Sequence, residues 1–358
     1  MASPFPPGRP HAYTVSASAA FERIVQRESL RGARVLLPAY ICSKGFEPIF
    51  EQYDIDPVFV DVDPDTYHLD PDRADPHLGD VDAVLLVHAF GLPAPADDWA
   101  ERCRQADALL IEDCARALGA RHDGRLAGSF GDYAIFSFPK VSPVYTGGCL
   151  VAATNDDGFE LAPPTLNADL LVKTAYNALP RGIPYEREIV DRYKSLMGDR
   201  LYAIDDTESN LTDTETSEST DTTAVRELDP LTRYLFDRYL HRDHPRALTE
   251  HAHIASELRR TFRALDFDVQ PNAPGRTQYT IPVTVPDDRN ELVDYLHDQG
   301  HPAGKLWQNP WGLTHPKTTD EHAYPVTREL ADHVLTLPIF EMSPDDVDHL
   351  DLTLRRFY

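Results

Sequence analysis

Lysine is scarce in this chain: six residues in 358, against twenty-eight arginines. Positive charge of any kind is short, and the formal net charge is −25. A nucleic-acid partner is therefore not expected, because phosphates need a basic face to neutralise them. No apolar run approaches the roughly 18 residues of a membrane helix, so no membrane partner is expected either. The start, MASPFPPGRPHAYTV, has no charged region followed by an apolar stretch, and no secretory signal is expected. The four cysteines, Cys42, Cys103, Cys114 and Cys149, form no CxxC pair and no zinc spacing. Free thiols in a reduced, cytoplasmic protein with no metal site are the plain expectation.

The negative charge that is present consists of forty aspartates and nineteen glutamates, spread over the whole chain. At molar salt the screening length falls to about 3 Å, which makes such self-repulsion tolerable. A salt-adapted, halophilic surface is the expectation. It speaks of milieu and not of mechanism.

At 42% hydrophobic content the chain can build a large core, and its length suits two domains. In the first half, short apolar strands alternate with amphipathic helices. SASAAFERIVQR (16–27) has helical spacing and serines at its start. ARVLLPAY, DPVFVDVD, DAVLLVHAFG, ALLIEDCA and YAIFSF read as strands, with ADDWAERCRQAD as a helix between the third and fourth. Continuous apolar strands imply an α/β fold with a mostly parallel sheet covered on both faces. From Asp205 to Asp221 the text turns acidic, with seven acids, no base and one aliphatic residue, and a disordered loop is expected over 203–227. A helical stretch over 230–265 is expected to break near Pro245. The tail then offers a strand, TQYTIPVTV, a helix ended by Gly300 and a last helix beginning near Pro344. This divides the chain into a large domain, 1–245, and a small C-terminal α+β domain, 246–358.

Three residues lie where a parallel sheet exposes its carboxyl edge, the usual place for ligands. Asp113 ends one strand; alone, it could be no more than a helix cap. His88 ends another and reads as mainly structural. Lys140 follows YAIFSF. An arginine would serve equally well as surface charge in a chain that avoids lysine, but only lysine readily loses its proton and forms an imine. Gly147 and Gly148 close behind it give backbone freedom.

Taken together, SASA, LPAY, FVDVDPDTYHLDP, VHAFGLPA, IEDCARALGA, GRLAGSFGDYAIFSFPK and GGCLVA, in that order, resemble the DegT/StrS family of pyridoxal-phosphate-dependent sugar aminotransferases. The tail YPVTRELADHVLTLPIFEMSPDDVDHL is also similar to that family. The resemblance implies a fold-type I PLP-transferase of the aspartate aminotransferase superfamily, with pyridoxal 5′-phosphate (PLP) as cofactor. It implies that Lys140 binds the cofactor as an imine and shuttles a proton, and that Asp113 keeps the pyridinium nitrogen protonated. Ser16, Ser18, Ala19 and Ser137 would hold the phosphate, with help from the helix dipole. It further implies a homodimer that moves an amino group, from an amino donor such as glutamate, onto a nucleotide-linked keto-sugar in surface-glycan or related biosynthesis.

Several positions depart from the family pattern. Arg116 stands where Gln or His is usual, beside the ring hydroxyl. Cys42 occupies the place of the ring-stacking residue, for which Tyr40 could substitute if the loop is shifted. Ala17-Ser18 replaces Gly-Thr, and only two residues separate Ser137 from Lys140. Two rival outcomes remain beside the transferase: a sugar dehydratase, which in this family tends to replace the lysine, and a non-catalytic sensor that keeps the pocket.

Overall fold

The apolar runs do assemble as a sheet. In the computed structural model, which describes residues 4–154, 159–164, 225–285, 288–320 and 322–358, seven strands line up in the order β1-β9-β8-β5-β4-β2-β3. They are β1 (His11–Thr14), β2 (Arg34–Pro38), β3 (Asp56–Val60), β4 (Ala83–Val87), β5 (Leu109–Asp113), β8 (Tyr133–Ser137) and β9 (Gly148–Ala152). A small hairpin, β6 (Arg121–His122) with β7 (Arg125–Leu126), stands apart. Strands β3, β2, β4, β5 and β8 are parallel, β9 runs antiparallel to β8, and β1 runs antiparallel to β9. Two reversals restore direction, so β1 ends on the same edge as β8. The register row Thr14, Gly148, Ser137 states this directly.

Helix α1 (Ala17–Arg27) covers one face with Ala20, Phe21, Ile24 and Val25, all buried. On the other face lie α3 (Pro71–Leu78) and α4 (Ala96–Ala106), with Trp99 and Cys103 packed against Leu36, Val84 and Leu110. Between α1 and α3, the short α2 (Glu47–Gln52) adds Ile49 and Phe50 to the first core. Burial on both faces is why β4 reads AVLLV without alternation.

The long helical stretch breaks at Asp243, giving α5 (Pro230–Arg242) and α6 (His244–Ala264). Pro245 lies in the first turn of α6, where its missing N–H has no helical partner to lose. A second, antiparallel sheet, β10 (Asp268–Val269), β11 (Thr280–Thr284) and β12 (Val334–Pro338), packs with α6, α7 (Arg289–Asp298) and α10 (Pro344–Phe357) around Leu258, Phe262, Ile281, Leu292, Leu335 and Leu354. Between these lie α8 (Trp311–Thr314) and α9 (Pro325–His333). Residue 246 lies in the first turn of α6, yet Leu248 still packs on the cluster around Phe136, Phe138 and Phe236, and the core of the second sheet begins at Ile254.

Most of the acidic stretch expected over 203–227 lies outside the described residues. Its last three positions are a correction: Val225 is buried, Arg226 bridges Ala162, and Glu227 bridges Thr14. Backbone pairing beside β1 orders them.

Candidate active site at the carboxyl edge

The site grows out of strand ends. Asp113 is the last residue of β5, and its carbonyl accepts from the His88 backbone N–H of the next strand (3.1 Å). Asp113 is 8% exposed, and its Oδ1 accepts from the Ala115 N–H (2.8 Å). Burial raises its pKa, while the nearby Lys140 ammonium, the Ala115 N–H, His88 and Arg116 oppose that rise. Asp113 and Lys140 are thus brought together.

Lys140 sits in a turn pinned on both sides. Phe138 is buried, with its ring stacked on Phe236 (centroids 3.6 Å apart), and its N–H donates to Gly147 O (2.9 Å). Phe138 O accepts from Val141 N–H (3.1 Å) and from Ser142 Oγ (2.7 Å), and Tyr239 Oη donates to Val141 O (3.1 Å). Lys140 itself remains half-buried. Ser137, three residues earlier, closes β8 at 8% exposure.

The N-terminus of α1 stands on the same edge. Gly147 has φ +112, which a side chain would resist. A methyl group on Gly148 would lie 2.5 Å from Ala17 N and Ser16 C, so glycine alone lets α1 start here. Thr146 Oγ1 and Gly147 N–H both donate to Val15 O (2.7 and 2.9 Å), and Thr14 Oγ1 donates to Ser16 O (2.7 Å). Ser16 is the N-cap: its Oγ accepts from Ala19 N–H (3.0 Å). Ser16 Oγ and Ala19 N–H are thus occupied with each other, whereas the Ala17 and Ser18 amides belong to the first turn and have no acceptor inside the helix. Ser18 Oγ lies close to Gly45.

The remaining three positions have contacts of their own. Tyr40 is 1% exposed and faces the second body, its ring edge-on to Tyr67 (5.9 Å) and Trp307 (5.2 Å). Cys42 is a half-buried cysteine outside any disulfide, in a loop whose preceding Ile41 O accepts from Trp311 N–H (2.8 Å). Arg116 reaches across to β11, where Nη1 donates to Thr280 Oγ1 (3.0 Å).

One buried acid escaped sequence reasoning. Glu112, fully buried, accepts from Gly128, Phe130 and Gly131 N–H (2.7 to 2.8 Å) and from His88 Nε2 (3.0 Å). His88 Nδ1 accepts from Ala94 N–H (3.0 Å), so the ring proton sits on Nε2 and is donated to Glu112. Burial alone would raise Glu112, but His88 and the glycine amides outweigh it and hold the carboxyl below its usual range. The signal was two consecutive acids in an apolar strand: alternation sends Glu112 and Asp113 to opposite faces.

These residues fit the cofactor that the resemblance implies. A buried carboxylate beside a lysine, with unsatisfied helix amides on the same edge, is a donor set for a pyridinium ring bearing an aldehyde and a phosphate.

The arrangement is that of an α/β fold whose candidate site lies along the carboxyl edge of a mostly parallel sheet. Residues 8–162 match the DegT/DnrJ/EryC1/StrS aminotransferase family. A dTDP-3-amino-3,4,6-trideoxy-alpha-D-glucose transaminase from Micromonospora megalomicea subsp. nigra is 41% identical over 104 residues, 28% of this chain and 28% of its own. A dTDP-4-dehydro-2,6-dideoxy-D-glucose 3-dehydratase from Saccharopolyspora spinosa is 36% identical over 106 residues, 29% of this chain and 23% of its own. The match thus spans about a quarter of these relatives' length. The fold likeness runs further: Spr1654 from Streptococcus pneumoniae, in its PLP form, superposes with a TM-score of 0.72 over 97% of this chain and 86% of its own, at 18% identity.

Proposed function

We propose that this protein is a PLP-dependent aminotransferase that moves an amino group, from glutamate, onto a nucleotide-linked keto-sugar, acting as a cytoplasmic homodimer. The observation that carries the reading is the placement of Lys140 beside buried Asp113 on the edge where α1 begins. When bound, PLP supplies an electron sink for the carbon whose proton is removed. The chain supplies the rest. Asp113, dry and held through Ala115, is set to keep a ring N–H in place with its charge. Ala17 and Ser18 amides, with Ser137, would hold the phosphate at the positive end of α1. Lys140 Nζ binds the cofactor and carries a proton to and from the substrate carbon. Arg116 brings a fixed positive charge close to Asp113.

A dehydratase outcome is the second reading, favoured by the Saccharopolyspora relative; the retained Lys140 supports amino transfer over it. The deciding experiment is optical. Purified protein reconstituted with PLP should absorb in the visible, and glutamate should bleach it. A colourless wild type would sink the proposal. Colour that no amino donor bleaches would turn it into a sensor, and sugar deoxygenation without amination into a dehydratase.

A further inference from the structure

On the second body, far along α6, an open pocket of about 300 Å³ is lined by Ser256, Arg259, Arg260, Arg263 and Asn272. The four helix positions recur at three- and four-residue steps, so one face of α6 presents them together. Arg259 is 3% exposed. Its Nη1 donates to Gln270 O and its Nη2 to Gln278 Oε1 (3.2 Å), while its Nε–H is buried with no acceptor among the described residues. Behind it Arg276, with Nη2 on Gln270 Oε1 (2.6 Å) and Phe90 O (3.2 Å), likewise keeps a buried Nε–H without an acceptor.

Within a chain of net charge −25, neither Arg259, Arg263 nor Arg276 pairs with a carboxylate among the described residues. Only Arg260 does, through Glu257 (2.6 Å). Burial first, and then the adjacent Arg263, lower Arg259 to about 10. Asn272 Oδ1 already accepts from Gln278 Nε2 (3.0 Å), which leaves the Asn272 amide nitrogen as a donor.

We propose that this pocket is a binding site for a small phosphate-class oxyanion, held by Arg259, Arg263 and Ser256. An anion there would supply the acceptor that buried Arg259 lacks and offset the Arg259–Arg263 repulsion. The proposal does not rest on the transferase reading.

The test is calorimetric titration of inorganic phosphate into the full chain at fixed ionic strength, with wild type, Arg263→Gln and Ser256→Ala. One saturable site per chain is expected, weakened about tenfold by Arg263→Gln and less by Ser256→Ala. Arg263 is exposed, so its variant should fold normally. A parallel titration with a sugar monophosphate separates the sources: tighter binding than phosphate assigns a phosphoester, and equal or weaker binding assigns the free ion. Absence of a saturable site overturns the proposal. So does undiminished affinity in Arg263→Gln, which would place the phosphate at α1 instead.

Discussion

Asp61 caps a distant helix: its Oδ2 accepts from the N–H of Val326, 265 residues further along the chain (3.0 Å). Its Oδ1 accepts both the N–H (2.8 Å) and the Oγ1–H (2.7 Å) of Thr327. Helix α9 has no capping side chain of its own, since its N-cap is Tyr324 in the left-handed region, φ 53. Asp61 follows β3, so one carboxylate fastens the second body to the edge that carries the site.

Replacing Asp61 by alanine leaves those donors buried and should cost about 3 kcal/mol. Thr327→Val removes a single bond and should cost about 1 kcal/mol. Urea denaturation of both variants and of the double mutant checks this; additive losses would contradict a shared bond.

Glu112 makes an acid-dependent contribution of definite sign. Its folded carboxyl lies below the ordinary 4.5, so the contribution is full above that value and fades as pH falls through the folded one. Glu112→Gln turns an NH2 group toward backbone donors, should cost about 2 to 3 kcal/mol at pH 7, and should flatten the acid limb of stability. An unchanged limb in pH-resolved thermal melts would refute this.

His68 acts at higher pH. It is buried, with Nε2 at 3.1 Å from Leu92 O, and burial lowers it from 6.5 to about 3. The unfolded chain therefore takes up the proton first. Stability should fall as pH drops below 6.5, by up to about 1.4 kcal/mol per pH unit. His68→Gln should remove that slope between pH 6 and 4, measured by chemical denaturation.

Gly148→Ala is aimed at the site. Its methyl group must displace the first turn of α1. Affinity for PLP should fall by up to about a hundredfold, with a smaller change in melting temperature. Fluorescence titration of the cofactor measures the first, and unaltered binding would separate α1 from the phosphate.

Salt should stabilise the protein. Raising KCl from 0.1 to 1 M shortens the screening length from about 10 to 3 Å and quiets repulsion among fifty-nine acids. A melting temperature highest in dilute buffer would dispose of the salt-adapted surface.

What the sequence made legible was local or periodic. The central strands stood out because burial on both faces leaves unbroken apolar runs, and α1 because Ala20, Phe21, Ile24 and Val25 mark one stripe. Lys140 and Asp113 were readable as strand-end residues of unusual chemistry. Strand β1 was not, since HAYT is four residues of mixed burial whose partner lies at 148–151. Glu112 hid beside Asp113 for want of any sign of the Gly128–Gly131 turn that receives it. Asp61 hid because its partners lie in the tail, and no local pattern encodes a bond of that span. Tyr40 read as a possible ring partner, while tertiary packing gave its ring to Tyr67 and Trp307.

The pairing of β1 with β9 has a consequence in time. During synthesis, His11 emerges long before its partner Val151 exists. At about 5 to 20 residues per second, β1 and the helix it introduces wait roughly 7 to 30 s for Gly148 to arrive. Until then α1 has neither its floor nor the lysine turn beside it, so the proposed cofactor site is complete only in the finished sheet.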